Sequence, residues 1–205
     1  MKAPSEIPIY HITDLANLRG IVAAGGIRSD VAMAAHNPAV IGYDHIKLRC
    51  ATEIRVDCCG DRFVGEFVPF YYCPRSPMLY TINRGNTGRP VGCQSKIVHL
   101  VSTVGDALAA AQDWAISDGN AGAFHGSFYK DLAELGKLDW EAIHARMWQG
   151  RTHQKAAEFL VADFFPWNAV RGIGCMDATA AAQVNNILGK AANNPVVSVE
   201  RTWYY

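Results

Sequence analysis

The chain has 205 residues, half of them hydrophobic, and its 19 lysines and arginines are balanced by 19 aspartates and glutamates. This length and apolar content predict one folded domain, here spanning residues 1–205, and exclude a disordered chain. The zero net charge excludes a polybasic tail that captures duplex through many phosphates, and no apolar run is long enough to predict a membrane span.

A strand followed by a helix opens the chain. Residues 7–12 alternate as in a short strand, and Asp14 then caps a helix whose apolar residues recur at helical spacing. The pair Gly25-Gly26 is typical of a helix end. The following stretches predict one or two short helices over 30–49, an aromatic strand over 63–72 and a loop over 82–90.

The second half alternates strands and helices irregularly. Its patterns predict a strand over 97–101, a helix from Thr103 to Trp114, a helix opened by Asp139 with Met147 on its apolar face, a buried strand over 157–165, a helix from Asp177 to Lys190 and a strand over 196–204. Hairpin-like and βα connections are mixed in this order. The fold class is therefore predicted to be α+β rather than a doubly wound sheet.

The motifs of several large enzyme classes do not occur in the sequence. It contains no G-x-G-x-x-G after a strand, no P-loop, no H-E-x-x-H and no G-x-S-x-G. None of its six cysteines has Cys-x-x-Cys spacing, so we expect free thiols and no metal. The N-terminal residues lack the apolar core of a signal peptide, which predicts a cytoplasmic protein.

Four segments carry residue types that point to chemistry. Glu158 heads an apolar strand, where a carboxylate is costly unless it is paired or used. His11 and Thr13 fall on one face of a strand and can grip a ribose or an amide. Basic residues cluster over 45–49, and four aromatics interleave with three arginines over 69–89, as in a stacking platform for unpaired bases. The alternatives are a solvent-facing Glu, an ordinary strand-end His, a solvated charge run and core aromatics.

The joint order of these segments is more specific than any one of them. The chain runs through His-Ile-Thr, His-Ile-Lys-x-Arg, Pro-Arg-Ser-Pro-Met-Leu-Tyr and Ala-Glu-Phe-Leu-Val to a closing Arg-x-Trp-Tyr-Tyr. This series resembles the DarT family, DNA ADP-ribosyltransferase toxins of bacterial toxin–antitoxin systems. The resemblance implies the ADP-ribosyltransferase fold, with a split β core that holds NAD as co-substrate. It also implies transfer of ADP-ribose to a base of single-stranded DNA, thymine in the most similar branch, with release of nicotinamide.

The resemblance assigns roles to individual residues. Its catalytic pair maps onto Arg49 and Glu158, and the carboxylate would stabilise the positive charge that develops on the ribose. Either residue of the pair can be the one that helps the thymine lose its proton. The implied cofactor contacts are His11, Ile12, Thr13, Gly20, Arg28, Arg49 and Tyr71. Aromatic and basic character, rather than a matched motif, adds the DNA-side candidates Tyr43, Arg75, Met78, Arg84 and His153.

Two regions and one partner complete these expectations. Residues 33–51 would cover NAD, and residues 117–155 would recognise the substrate. The resemblance further implies an antitoxin, a macrodomain protein that removes ADP-ribose from DNA. Two other functions fit the residues: an ADP-ribosyltransferase or phosphotransferase that acts on RNA or protein, and a non-catalytic module that binds single strands.

Overall fold

An eight-stranded mixed sheet forms the centre of the computed structural model, which describes residues 3–36, 38–189 and 194–205. The strands are β1 (Pro8–Asp14), β2 (Gly26–Arg28), β3 (Arg55–Val56), β4 (Arg62–Phe63), β5 (Phe67–Tyr71), β6 (Ile97–Thr103), β7 (Trp114–Asn120), β8 (Phe128–Tyr129), β9 (Ala157–Ala162), β10 (Phe164–Pro166), β11 (Gly172–Cys175) and β12 (Val196–Val199). The order in the large sheet is β12-β11-β6-β1-β5-β9-β7-β8, and its pairs are antiparallel except β11 with β12. Two small ribbons, β2–β10 and β3–β4, accompany it.

Short helices surround the sheet. They are α1 (Leu18–Ala23), α2 (Asp30–Met33), α3 (Asp44–Thr52), α4 (Pro77–Asn83), α5 (Val104–Ala110), α6 (Trp140–His144), α7 (Thr152–Lys155) and α8 (Ala178–Leu188). Polar side chains fix where several of them begin: Ser76 accepts the N–H of Leu79 at 3.2 Å, and Asp177 accepts the N–H of Ala180 at 2.8 Å. Within the described residues, no helix has the length and apolar character needed to cross a membrane.

The sheet is split between β1 and β5. Strand β1 pairs with β6 along all seven of its residues, whereas its described pairing with β5 is confined to Tyr10 opposite Tyr71. Beyond that pair, the Nδ1 atom of His11 donates to the carbonyl of Pro69 at 2.9 Å. In an antiparallel ladder the N–H and C=O of one residue point to the same side. The missing N–H of Pro69 therefore faces β1, and this explains why the ladder stops there.

The α+β class predicted from the sequence is confirmed, but two element ends differ from expectation. The helix predicted to reach Trp114 ends at Ala110, because Trp114 begins β7 and its ring stacks on Phe159 with centroids 5.5 Å apart. The strand predicted over 157–165 is interrupted at Asp163, whose φ of 60° separates β9 from β10.

The stretch 63–90 also differs from expectation. A 3-10 turn, Val64–Glu66, separates β4 from β5. Farther along, α4 replaces the first part of the predicted loop, and Ser76 followed by Pro77 is a start signal that the sequence carries.

Two C-terminal expectations change as well. The helix opened by Asp139 ends at His144, so Met147 lies beyond it and is 82% exposed instead of packing on an apolar face. The strand predicted over 196–204 ends at Val199. The end of the predicted helix at Lys190 falls outside the described residues.

Tyr204, which follows β12, bonds to two neighbouring strands of the sheet, β6 and β11, and provides a test of this packing. Its hydroxyl, in a side chain only 5% exposed, lies 2.9 Å from the carbonyl of Ile97 and 3.1 Å from that of Gly174. We expect Tyr204→Phe to lower the free energy of unfolding by about 1–3 kcal/mol, because buried acceptors lose their donor. Urea unfolding measures this loss. Tyr129→Phe is the control, since that hydroxyl bonds to none of the described residues, and an equal loss in both variants would contradict the role of Tyr204.

Candidate active site

A deep cleft opens where β1 and β5 separate. It encloses about 510 Å³, within the usual range of small-molecule sites, and its wall comes from β1, α1, β2, β5 and the chain before α3. Glu158 lies in this wall. The structure brings these predicted cofactor contacts together in the wall: His11, Ile12, Thr13, Gly20, Arg28 and Tyr71.

His11 presents a neutral ring to the cleft. Since the carbonyl of Pro69 can only accept, the hydrogen bond of 2.9 Å places the ring proton on Nδ1 and leaves Nε2 as an acceptor. Burial lowers the pKa of His11, which keeps the ring uncharged at neutral pH. The same hydrogen bond that bridges the split sheet thus sets the tautomer of a cleft residue.

Glu158 is a buried carboxylate on β9. Its side chain is 6% exposed, and its Oε2 accepts the N–H of Ala121 at 3.2 Å. Tyr71 lies directly opposite it in the β5–β9 register and donates a hydrogen bond to the carboxylate. Burial raises the pKa of Glu158 to about 7, and the bonds from Ala121 and Tyr71 only partly offset this effect. A small change in its surroundings therefore shifts Glu158 between its protonated and its ionised form.

A bulge in β7 faces Glu158. Ile116 pairs with Phe159 and Asn120 with Ala157, so three residues, 117–119, lie opposite one. The fully buried Ser117 supplies side-chain hydrogen bonds where the backbone ladder is interrupted. Its hydroxyl donates to the carbonyl of Gly119 at 2.7 Å and accepts the N–H of Glu158 at 3.0 Å. The backbone of Glu158 is therefore held by a side chain, which frees the chain after β7 to turn toward the cleft.

That turn connects Glu158 with Arg49. While Ala121 donates to Glu158, the guanidinium of Arg49 donates to the carbonyl of the next residue, Gly122, and lies over the ring of Phe124 at 4.9 Å. The Nε atom of Arg49 is buried without a partner among the described residues. Arg49 is not part of the cleft wall, in contrast to the other predicted cofactor contacts. Instead, one short loop bonds to both residues, to Glu158 through Ala121 and to Arg49 through Gly122.

The segment 38–43, which we call the cover, closes one side of the cleft. Asn17 holds it through two hydrogen bonds with the backbone of Ala39, of 3.0 and 2.8 Å. Arg89 bonds to the same segment at the carbonyl of Val40, at 3.2 Å, and pairs with the buried Asp14. The cover falls within residues 33–51, the helical element expected to cover NAD, but precedes the helix α3, and residue 37 lies outside the described part of the chain.

The DNA-side candidates fall into two groups. Tyr43 and Met78 line the cleft, and His153 lies against the bulge of β7. Arg75 and Arg84 are not in the cleft wall: Arg75 stacks on an aromatic ring of the C-terminal segment, and Arg84 is exposed at the end of α4. Sequence reasoning missed Ser117 and the Arg49 contact at Gly122, because the Gly/Asn-rich stretch indicates a loop but not its register.

No metal centre is evident in the residues that the structure describes, where no three His, Cys, Asp or Glu side chains are grouped to hold an ion. The six cysteines are all free thiols, and Cys59, Cys73 and Cys175 are buried.

Comparisons with known proteins give matches over nearly the whole chain. Residues 10–205 match the family described as "ssDNA thymidine ADP-ribosyltransferase, DarT". A DNA ADP-ribosyl transferase of Thermus aquaticus is 40% identical over 204 residues, which cover 98% of this chain and 90% of that protein. The structure of Thermus sp. 2.9 DarT in complex with ADP-ribosylated ssDNA superposes with a TM-score of 0.89 at 34% identity, covering 100% of this chain and 99% of that one. The same protein in complex with NAD+ gives a TM-score of 0.81 at 33% identity, with both chains covered at 100%.

The buried carboxylate makes a prediction about stability. Because folding raises the pKa of Glu158 from 4.5 to about 7, both states bind its proton at low pH, but only the folded state keeps it as the pH rises between these values. Wild-type stability is therefore lost across this window, and Glu158→Gln escapes the loss. We expect the two proteins to unfold alike near pH 4.5, and the Gln variant to be more stable at pH 8 by up to about 3 kcal/mol.

Chemical denaturation at several pH values measures this difference. Glu53→Gln, at an exposed carboxylate following α3, is the control. A difference between wild type and Glu158→Gln that stays constant with pH would contradict the burial of an ionisable carboxyl at this position.

Proposed function

Because the chain belongs to the DarT family of single-stranded-DNA thymidine ADP-ribosyltransferases, we propose that its cleft between β1 and β5 holds NAD and that Glu158 and Arg49 act at the reacting bond. The enzyme transfers ADP-ribose from NAD to a base of single-stranded DNA and releases nicotinamide. The observation that carries the assignment of residues is the buried Glu158 carboxylate in the wall of a cleft that His11, Thr13 and Tyr71 also line.

The cleft has the chemistry that a dinucleotide needs. The Nδ1 atom of His11 donates to the Pro69 carbonyl, so its Nε2 atom can accept a hydrogen bond from a ribose hydroxyl or an amide. Thr13 adds a hydroxyl on the same face of the strand. A side chain built at Gly20 would meet nothing within 4 Å, so α1 leaves open space along the wall. Arg28 pairs with no described carboxylate, which leaves its cation free for a diphosphate.

Glu158 would stabilise the breaking of the nicotinamide–ribose bond. That step develops positive charge on the ribose, as glycoside cleavage does, and a carboxylate lowers its energy most in a site shielded from water. The positive nicotinamide of bound NAD favours the ionised form of Glu158, whose pKa of about 7 leaves it poised between its two states. The N–H of Ala121 donates to the carboxylate, and the Ser117 hydroxyl accepts the backbone N–H of Glu158, so both the side chain and the backbone of Glu158 are held during this step.

Arg49 and Glu158 have different roles toward the acceptor base. A thymine ring N–H must lose its proton as the nitrogen attacks, and a guanidinium keeps its own protons at neutral pH, so it is a poor base. We therefore assign the proton to Glu158, whose pKa of about 7 suits a group that accepts a proton near neutrality. Arg49 would donate hydrogen bonds to the developing anion on the base.

The wider biological role is also part of this proposal. The Tyr10–Tyr71 pair keeps the two parts of the split sheet connected in one strand order from β12 to β8, which supports a single ADP-ribosyltransferase domain over residues 1–205. Family membership supports a cytoplasmic toxin of a toxin–antitoxin pair. Its partner would be a macrodomain antitoxin that removes ADP-ribose from DNA, since the bond formed on the base must be reversed for the cell to recover.

An assay with labelled NAD and four single-stranded oligonucleotides, each containing only one type of base, tests this function. Wild type should label the thymine-containing strand, and Glu158→Ala should lower the rate by about 10²–10³-fold or more, because an electrostatic stabiliser is lost. Glu53→Ala should remain active. Label on RNA or lysate protein instead of DNA would favour the other acceptors, and strand binding without any transfer would favour a non-catalytic module.

Ser117 offers a sharper test of how Glu158 is held. Ser117→Ala removes the hydroxyl that accepts the Glu158 N–H. Ser102→Ala is a matched control, because Ser102, on β6, is also buried and its hydroxyl donates to the carbonyl of Ala169 at 2.7 Å. Both variants should lose about 1–2 kcal/mol of stability, but only Ser117→Ala should also lose kcat, by roughly ten-fold or more from misplacement of Glu158. Equal kcat values in the two variants would refute this positioning role.

A further inference from the structure

Three aromatic side chains from distant parts of the sequence meet outside the cleft. Tyr80 on α4 lies edge-to-face against Trp148, with centroids 5.5 Å apart, and against Tyr205, with centroids 5.1 Å apart. Arg75 extends this group, since its guanidinium lies 4.3 Å from the centre of the Tyr205 ring. We call Tyr80, Trp148 and Tyr205 the aromatic cluster.

The aromatic cluster is accessible and is flanked by cations. Tyr80 is 37% exposed, the neighbouring Met147 is 82% exposed, and the other two rings are half-buried. Within the described residues, neither Arg75 nor Arg146 pairs with a carboxylate, and the buried Nε of Arg75 has no hydrogen-bond partner. Partly exposed aromatic rings beside guanidinium groups without a carboxylate partner match the bases and phosphates of an unpaired strand better than they match an aliphatic protein surface.

The aromatic cluster is also close to the cleft. The hydroxyl of Tyr205 donates to the carbonyls of Arg75 and Ser76, at 3.0 and 3.3 Å, and so fixes the cluster to the start of α4. Met78, in the first turn of α4, lines the cleft. Arg75 follows Tyr71, the neighbour of Glu158, by four residues of chain, which span at most ~14 Å. A strand of a few nucleotides covers such a distance, since stacked bases rise ~3.4 Å each.

We propose that the aromatic cluster is a second base-binding subsite, which stacks an unpaired base that flanks the base being modified. This inference rests on the proposed function, because it assumes that the acceptor lies in a single strand. Stacking on aromatic rings accepts any base and requires bases that are not paired. The subsite would thus anchor the strand and help to exclude duplex, while Glu158 and Arg49 act on the base in the cleft.

The kinetic constants for the DNA substrate test this subsite. Trp148→Ala and Tyr80→Ala should each raise KM for a thymine oligonucleotide with flanking nucleotides by about 5- to 150-fold, the usual effect of losing one stacked base. The kcat and the KM for NAD should not change, because neither ring contacts the cleft. Trp148→Phe should restore most of the affinity. Phe63→Ala is the matched control, since this ring also stacks with an arginine, Arg55, at 4.2 Å but lies on the β3–β4 ribbon.

Fluorescence anisotropy of a labelled oligonucleotide without NAD gives a second readout that does not depend on turnover. Weaker binding by both alanine variants, with Phe63→Ala unaffected, would support the subsite. Transfer to DNA by wild type together with unchanged KM and unchanged binding in both variants would overturn the subsite but not the proposed function. A loss of kcat or a lowered melting temperature without a change in DNA binding would show a structural role instead. If wild type labels no DNA, the proposed function itself fails.

Discussion

The burial of the Glu158 carboxylate is the constraint on which the rest of the site depends. A carboxylate on a central strand, with its side chain 6% exposed, is unfavourable unless neighbouring groups compensate it. The surrounding structure supplies this compensation only in part, through the N–H of Ala121 and the Tyr71 hydroxyl, so the pKa stays near 7. The bulge of β7, the Ser117 hydroxyl and the turn that also holds Arg49 all serve to keep this one group in a defined place.

The same sheet that buries Glu158 must also open to admit substrate. Pro69 achieves this because it has no N–H to continue the ladder toward β1, while its carbonyl still binds His11. The strands stay connected through a side chain and a cleft forms between them. The split sheet therefore provides both the cleft for a dinucleotide and the neutral histidine that faces this cleft.

Local signals allowed part of this to be predicted from the sequence. The strand with His11 and Thr13, the Asp14 cap and Glu158 on an apolar strand depend on neighbours in sequence, and the structure places them as expected. Strand alternation alone separates Tyr71, which faces the cleft, from Phe70 and Tyr72, which are core residues at 0% and 1% exposure and do not form a stacking platform. The β7 bulge could not be predicted because it depends on the register between two strands. The aromatic cluster could not be predicted because its rings come from segments more than 50 residues apart.

The positive and negative charges of the chain balance in total but are not paired everywhere in the structure. Several cations, among them Arg28, Arg75 and Arg146, have no carboxylate partner in the described chain, although the total charge is zero. Such a surface suits contact with a short unpaired strand rather than capture of duplex. The proposed chemistry depends on a buried Glu158 whose pKa lies near neutrality, and ¹³C NMR titration of its carboxyl carbon measures that property directly. We predict a midpoint near pH 7; a midpoint near 4.5, the ordinary value for a glutamate, would contradict the account.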